Sequence, residues 1–255
     1  MRCHRILKPL VVTLALSTLC ATVAAQAPAV RGHEPPSACG PIYIRHYGPH
    51  DYRTERASIR VVEEFHFTPE IEAGLRGRNG PIGGDIDYTL KASPNHHRAL
   101  VTLSRLATRL KTERLPGMDW PVECYFDRAI RYRPDDAVVY MLYAQYLHQR
   151  QRTGDATRQL ENALRHAGDN AFTHYNIGLV YVELGQHASA LAQAHKAMAM
   201  GFPRTELADQ LKRSGHWREP EPEVVHGTAD TPVVPAPSSV QTDSGRSSPS
   251  PATRR

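Results

Sequence analysis

The stretch NAFTHYNIGLVYVELGQHASALAQAHKAMAMGFP, residues 170–203, decides the fold. Apolar residues recur at helical spacing in two segments, 171–184 and 187–200, which a glycine at 185 separates. Small residues, Gly178 and Ala190, stand where one helix must approach the other closely, and larger apolar side chains fill the seam. The stretch therefore predicts two helices that pack against each other as a hairpin.

The spacing of these residues is that of a known repeat. On the frame W-x2-L-G-x2-Y and its second-helix continuation fall His174, Ile177, Gly178, Tyr181, Ala190, Ala194 and Ala197, with Pro203 near the closing position. The stretch resembles a tetratricopeptide (TPR) repeat, with His174 and Ala194 at positions where the family has Trp and Phe.

Two degenerate copies precede this repeat. One covers about 100–134 and carries an extra loop at 113–119, and the other covers about 140–167. A leading helix is expected over 84–92, and a polar amphipathic segment over 204–214 is expected to cap the array. The resemblance implies an all-α fold, a short TPR-like α-solenoid of about three helix-turn-helix units over residues 82–216.

The N-terminus has the three parts of an export signal. Basic residues within 1–8 precede an apolar run over 9–23, and a small-residue cleavage site ends at Ala25. The run is shorter than the roughly 20 residues that span a bilayer. Residues 1–25 are therefore predicted to be a cleaved signal peptide, which directs the protein to the periplasm or outside the cell. A lipoprotein signal at Cys20 is the alternative.

The charge of the chain belongs mostly to that signal. The formal net charge is +5, and removing the three basic and no acidic residues of the signal leaves +2. A nucleic-acid partner is therefore not predicted. No later segment is apolar and long enough to predict stable membrane insertion.

Two cysteines, Cys39 and Cys124, remain after the signal is removed. In an oxidising compartment a disulfide between them is expected, because exported free thiols are a liability and only one pairing exists. The alternative is two unrelated thiols. The bond would tie the N-terminal segment to the helical repeats.

The segments outside the repeats are expected to be less regular. Residues 26–37 and the Pro/Ser-rich tail, 217–255, have the composition of disordered chain. Residues 38–81 are predicted to be irregular, with a short strand or extended segment at 59–67 and a helix near 69–75. Together with the phrase GGDIDYTLKASPNHHRAL, this segment resembles exported bacterial TPR proteins of unassigned activity.

The TPR resemblance implies a concave groove lined by the first helix of each unit. The groove-facing positions are Arg98, Val101, Arg105, Thr108, Arg109, Val138, Met141, Gln145, His148, Gln149, Phe172, Tyr175, Leu179, Val182 and Glu183. Such a surface, basic at one end and apolar-aromatic at the other, suits a peptide with an acidic end. Asn176 matches an Asn that peptide-clamping TPR proteins use, although their full carboxylate clamp is absent. The expected binding residues are Arg98, Arg105, Arg109, Met141, Gln145, Tyr175, Asn176 and Leu179.

Catalytic patterns are missing from the sequence. It has no HExxH, CxxCH, phosphate-binding Gly-rich loop or nucleophile elbow, and Asp85 and Asp87 are explained by dipole compensation at a helix start. The sequence therefore predicts a non-enzymatic protein- or peptide-binding adaptor without a cofactor or metal. Two alternatives stay open. One is a small metal- or ligand-binding enzyme that uses the His/Tyr/Glu-rich N-terminal segment, and the other is an N-terminal segment that fills the groove itself.

Overall fold

The computed structural model of the protein describes residues 38–220. The predicted signal peptide, the linker at 26–37 and most of the tail lie outside the described residues. The described residues up to Trp217 belong to one compact unit. Within them the chain forms ten helices and no strand, which confirms the all-α prediction. In chain order the helices are α1 (Arg56–His66), α2 (Pro69–Ala73), α3 (Ile82–Ala92), α4 (His97–Arg109), α5 (Val122–Tyr132), α6 (Ala137–Gln149), α7 (Thr153–Arg165), α8 (Ala171–Glu183), α9 (His187–Ala199) and α10 (Glu206–Arg213).

Two tight helical hairpins form the second half of this unit. Helix α6 packs along α7 and α8 packs along α9, and each pair is joined by only three residues. Such short links reverse the chain, so the paired helices are antiparallel. The reversal uses left-handed backbone at Gln151, with φ 61°, and at Gly185, with φ 71°. Side chains of Asp136 and Asn170 cap the N-termini of α6 and α8 by accepting backbone N–H bonds.

Helices α4, α6 and α8 pack side by side in a row, and their partners α5, α7 and α9 pack behind them. At the end of the row α10 contacts both α8 and α9. Gly178 is required there, because a Cβ atom at this position would lie 2.4 Å from Cδ2 of Leu207 on α10. The close approach inferred from sequence at Gly178 is therefore made to the capping helix as well as to α9.

The first pair, α4 and α5, is joined by the longer segment 110–121, and polar side chains hold it in place. Asp87 on α3 is buried and accepts a hydrogen bond from the hydroxyl of Tyr125. Lys91 bridges Asp87 to Asp119 in the linker. Asp87 is therefore a buried structural acceptor, and the explanation by helix-dipole compensation was wrong for this residue.

Residues 38–81 contain two helices, and the strand expected at 59–67 was wrong. Residues 56–66 form α1, which packs against α3 by burying Ile59 and Val62 at helical spacing. The β-branched residues favour a strand locally, but burial on one helical face outweighs that preference. The helix expected near 69–75 is present as α2, residues Pro69–Ala73.

Covalent and ionic contacts attach the N-terminal segment to the helical row. Cys39 and Cys124 form a disulfide with their Cα atoms 4.9 Å apart, as predicted. Asp51 is buried and accepts hydrogen bonds from Arg53, Asn95 and Arg133. Burial raises the pKa of the Asp51 carboxyl, but these three donors outweigh it and hold the pKa well below its ordinary value.

Candidate functional site

The row of α4, α6 and α8 presents a surface groove with two adjoining cavities. The first has a volume of about 290 Å³ and the second about 410 Å³. They share Val101, Arg105 and Leu142, so they form one continuous depression, which we call the inner groove. Because all but one of its lining side chains come from three neighbouring helices, the groove depends on how the row packs.

The first cavity is mainly apolar. Its apolar lining is Val101 from α4, Val138, Met141 and Leu142 from α6, and Phe172 from α8. Val101 and Phe172 are 43% and 58% exposed, unusually high values for large apolar side chains at a helical surface. Exposed apolar side chains grouped around a cavity are typical of a binding surface. The cavity is large enough for one or two apolar side chains of a partner.

The second cavity has more polar side chains in its lining and lies towards the C-terminal ends of α4 and α6. Ser104, Thr108 and Arg109 line it from α4, and Gln145 and Gln149 line it from α6. The hydroxyl of Thr108 donates to the side-chain oxygen of Gln149 at 2.8 Å. The inner groove therefore becomes more polar along its length, and Arg105 lines both cavities.

The short helix α2 borders the groove and fixes the arginines of α4. Nε of Arg98 donates to the Glu72 carboxylate at 2.7 Å, and its guanidinium makes a second bond to the same group. Arg105 donates to the carbonyl of Glu72, and Arg109 donates to the carbonyl of Gly74 at 2.9 Å. Carbonyls at a helix C-terminus lack helical partners, so they are free to accept these bonds. The groove remains open beside α2.

The three arginines differ in how their charge is balanced. Arg98 pairs with Glu72 and Glu63, and its hydrogen bond to Glu72 holds the pKa of that carboxyl below its ordinary value. Within residues 38–220, by contrast, Arg105 and Arg109 have no carboxylate partner and bond only to carbonyls. Their positive charge is therefore available to an anionic group in the groove.

A buried histidine positions the start of α4. Nδ1 of His96 accepts the backbone N–H of Ala99, and Nε2 lies 3.1 Å from the Glu63 carboxylate. Because Nδ1 accepts, the proton must be on Nε2, and the ring is the neutral tautomer. Burial lowers the pKa of His96 despite the Glu63 carboxylate, which maintains that neutral cap. His96 is therefore the N-cap of α4.

Predicted binding residues on α4 and α6 reach the inner groove. All five predicted positions of α4 line it, and so do four of the five predicted positions of α6, His148 being the one that does not. Among the expected binding residues, those that line a cavity are Arg98, Arg105, Arg109, Met141, Gln145 and Asn176.

Tyr175 and Leu179 lie elsewhere. The ring of Tyr175 is buried against Phe202, with centroids 4.7 Å apart, and its hydroxyl donates to Glu206 of α10. Leu179 packs, partly buried, in the core beneath α8. Helix α10 packs against this face of α8 and covers it.

Several lining residues were not among the predicted positions. Glu72 comes from α2, and no local sequence pattern places it beside Arg98 of α4, which is 26 residues later in the chain. His97, Thr102 and Thr173 also line the first cavity. Nε2 of His97 lies 2.8 Å from the buried Asp136, which caps α6. No local sequence pattern distinguishes His97 as a residue that faces the groove.

No group of three or more His, Cys, Asp or Glu side chains in 38–220 is arranged to hold a metal ion. None of the helices described above is both long and apolar enough to cross a membrane.

Neither a protein-family model nor a curated protein sequence matches the chain.

Proposed function

We propose that the protein is a non-enzymatic adaptor or scaffold that binds a protein or peptide through the inner groove. The observation that carries this proposal is the apolar cavity between α4, α6 and α8, open to solvent and bordered by the arginines that α2 fixes. A partner segment would place apolar side chains in the first cavity and a carboxylate near Arg105 and Arg109.

The balance of lining groups supports binding rather than catalysis. The first cavity offers apolar surface together with the amide of Asn176, which donates one hydrogen to the carbonyl of Phe172 and has a second available. Such amides suit the backbone of a peptide. We further propose that the helical row is a TPR-like solenoid and that the signal peptide delivers the protein to the bacterial periplasm, where the Cys39–Cys124 disulfide is stable.

Site-specific photo-crosslinking in cells that produce the protein tests this function. A photoreactive residue is placed at Val101 or Phe172 in the groove, or at Met198 on α9, which has a similar exposure of 46%. We expect one discrete crosslinked protein from both groove positions and none of that product from the Met198 control.

Charge reversal tests whether the crosslinked product depends on the positive charge of the groove. Arg105→Glu should reduce its yield by about tenfold or more, because truncating or reversing a buried or bordering charge lowers affinity by at least 1.4 kcal/mol. Glu161→Arg, on α7, is the charge-reversal control and should leave the yield unchanged. Equal yields from the groove and Met198 positions, or no effect of Arg105→Glu in a folded protein, would contradict the proposal.

A further inference from the structure

A separate cavity lies on the N-terminal segment, and it shares no lining residue with the inner groove. It has a volume of about 220 Å³ and is lined by Tyr47, Val61, Val62, Phe65, His66 and Tyr88. We call it the α1 cavity. Three of these side chains, Tyr47, Val61 and Phe65, are large, apolar and exposed. An exposed apolar group around a cavity marks an interaction site more often than scattered apolar residues do.

The histidine in this cavity is held in one orientation. Nδ1 of His66 lies 3.1 Å from Oδ1 of Asp85, and the other oxygen of Asp85 accepts the backbone N–H of Arg78 at 2.9 Å. The His66 ring also stacks on Tyr88, with centroids 3.8 Å apart and planes inclined by 21°. A carboxylate and a neighbouring ring thus fix both the position and the plane of the imidazole.

These contacts also fix which nitrogen is available. An ionised carboxylate only accepts hydrogen bonds, so Nδ1 of His66 carries a proton. In the neutral ring Nε2 is then an acceptor, and no residue in the described part of the chain bonds to it. By comparison, His96 and His174 use both ring nitrogens in hydrogen bonds within the protein. His66 therefore offers a directed acceptor in an aromatic cavity.

The complementary group is an aromatic ring that carries a hydrogen-bond donor. The cavity is below the usual size of sites for larger ligands, roughly 300 Å³ or more, but it accommodates a single ring. Tyr47 and Phe65 supply aromatic surface, against which a ring packs edge-to-face or offset. We propose that the α1 cavity receives a tyrosine side chain of a partner protein, whose hydroxyl donates to Nε2 of His66.

A protein partner is favoured over a free phenol because the apolar surface extends beyond the cavity. Val61 and Phe65 are one helical turn apart on the outer face of α1, at 45% and 41% exposure. A single phenol in the cavity would leave much of this rim in water. Residues flanking a partner tyrosine would cover this rim, at which the guanidinium of Arg78 lies 4.9 Å from the Phe65 ring.

NMR titration of the full chain tests the proposal, with the His66 ring signals as the readout. The probes are N-acetyl-tyrosinamide, N-acetyl-phenylalaninamide and the tripeptide acetyl-Val-Tyr-Leu-amide. We expect saturable shifts with the tyrosine probe at a Kd on the order of 1 mM, and at least about fivefold weaker binding of the phenylalanine probe. The tripeptide should bind at least about threefold more tightly than the single residue.

Variants separate recognition from folding. His66→Gln should lose the preference for tyrosine over phenylalanine, with Tyr88 signals as the readout, while His166→Gln, which alters a stacked His–Tyr pair elsewhere, should behave as wild type. If His66→Gln does not fold, Val61→Ser on the exposed rim is the second variant. It should make the tripeptide bind no more tightly than N-acetyl-tyrosinamide. Absence of saturable shifts, or equal binding of the tyrosine and phenylalanine probes, would overturn the proposal. A tripeptide that binds no more tightly than the single residue would also overturn it and indicate a free phenol instead.

Discussion

The two halves of the helical unit have cores of different composition. The first core, which includes α3, α4 and α5, buries large side chains such as Leu103, Tyr125 and Phe126, and three of its eighteen buried residues are alanine. The second core, which includes α7, α8 and α9, has seven alanines among sixteen. Small residues let the helices of the two hairpins in the second half pack closely. The bulkier first core is instead covered by the N-terminal segment and a long linker. The second half consists of two hairpins with three-residue links, and the first half depends on additional attachments.

The largest effect is expected from removing a ring in the first core. Phe126 is fully buried and stacks on Tyr143 with centroids 4.7 Å apart. Phe126→Ala should lower the free energy of unfolding by about 4 kcal/mol, because a cavity remains where the ring was. Urea denaturation followed by circular dichroism measures it. Phe65→Ala, at an exposed ring, is the control and should change stability by less than about 1 kcal/mol. Equal losses of stability in the two variants would contradict the conclusion that the large side chains of the first core stabilise the fold.

The next effect concerns the attachment of the N-terminal segment. The disulfide closes a separation of 85 residues, so the double variant Cys39→Ser, Cys124→Ser should lose about 3 kcal/mol of stability. Hydrogen exchange should show the loss of protection in α1, α3 and α5 first, with α8 and α9 retaining theirs. Uniform loss across both halves would show that the attachment supports the whole unit and not the first core alone.

The second core should be sensitive to added volume instead. Ala190 is fully buried where α9 meets α8. Ala190→Leu should destabilise the protein by about 2 kcal/mol, because the extra side chain forces the helices apart. Ala188→Leu, at an exposed position of the same helix, is the matched control. A tolerated leucine at 190 would mean that the second hairpin is loosely packed and that its alanines are not required.

The smallest effect is expected from the ionic attachment, and it depends on pH. The pKa of Asp51 is lowered from its ordinary value of 3.8, so the carboxylate stabilises the fold above about that pH, and this contribution disappears as the pH falls through the lowered pKa. Asp51→Asn should cost about 1.5 kcal/mol at pH 6.5. The difference from wild type should shrink steadily below pH 3.8. Asp135→Asn, at an exposed partner of Arg53, should show a much smaller difference. A difference that is constant with pH would rule out the charge of Asp51 as the cause.

Local pattern predicted most of the fold but only part of the site. Helical spacing located α3 to α10 within a few residues, because each buries one face of its own sequence. It missed α1, where Val61 and Val62 favour a strand locally and the deciding contact, with α3, is distant in sequence. The groove face of α4 and α6 was predicted from the resemblance to TPR proteins, whose first helices line a groove. Tyr175 did not, because α10 covers it, and the position of Glu72 beside Arg98 is a tertiary contact without a local signal.

The contact of α2 with α4 would reduce the side-chain entropy that the groove arginines lose when a partner binds. Arginine side chains have many rotamers, and ordering them on binding opposes affinity. Here Arg105 and Arg109 are already anchored by the Glu72 and Gly74 carbonyls. A partner would meet a preorganised pair of cations, so little side-chain entropy would remain to be lost. Under the proposed function, folding itself would prepare the recognition surface. A change that displaces the Gly74 carbonyl, which lines neither cavity, would then alter affinity through Arg109.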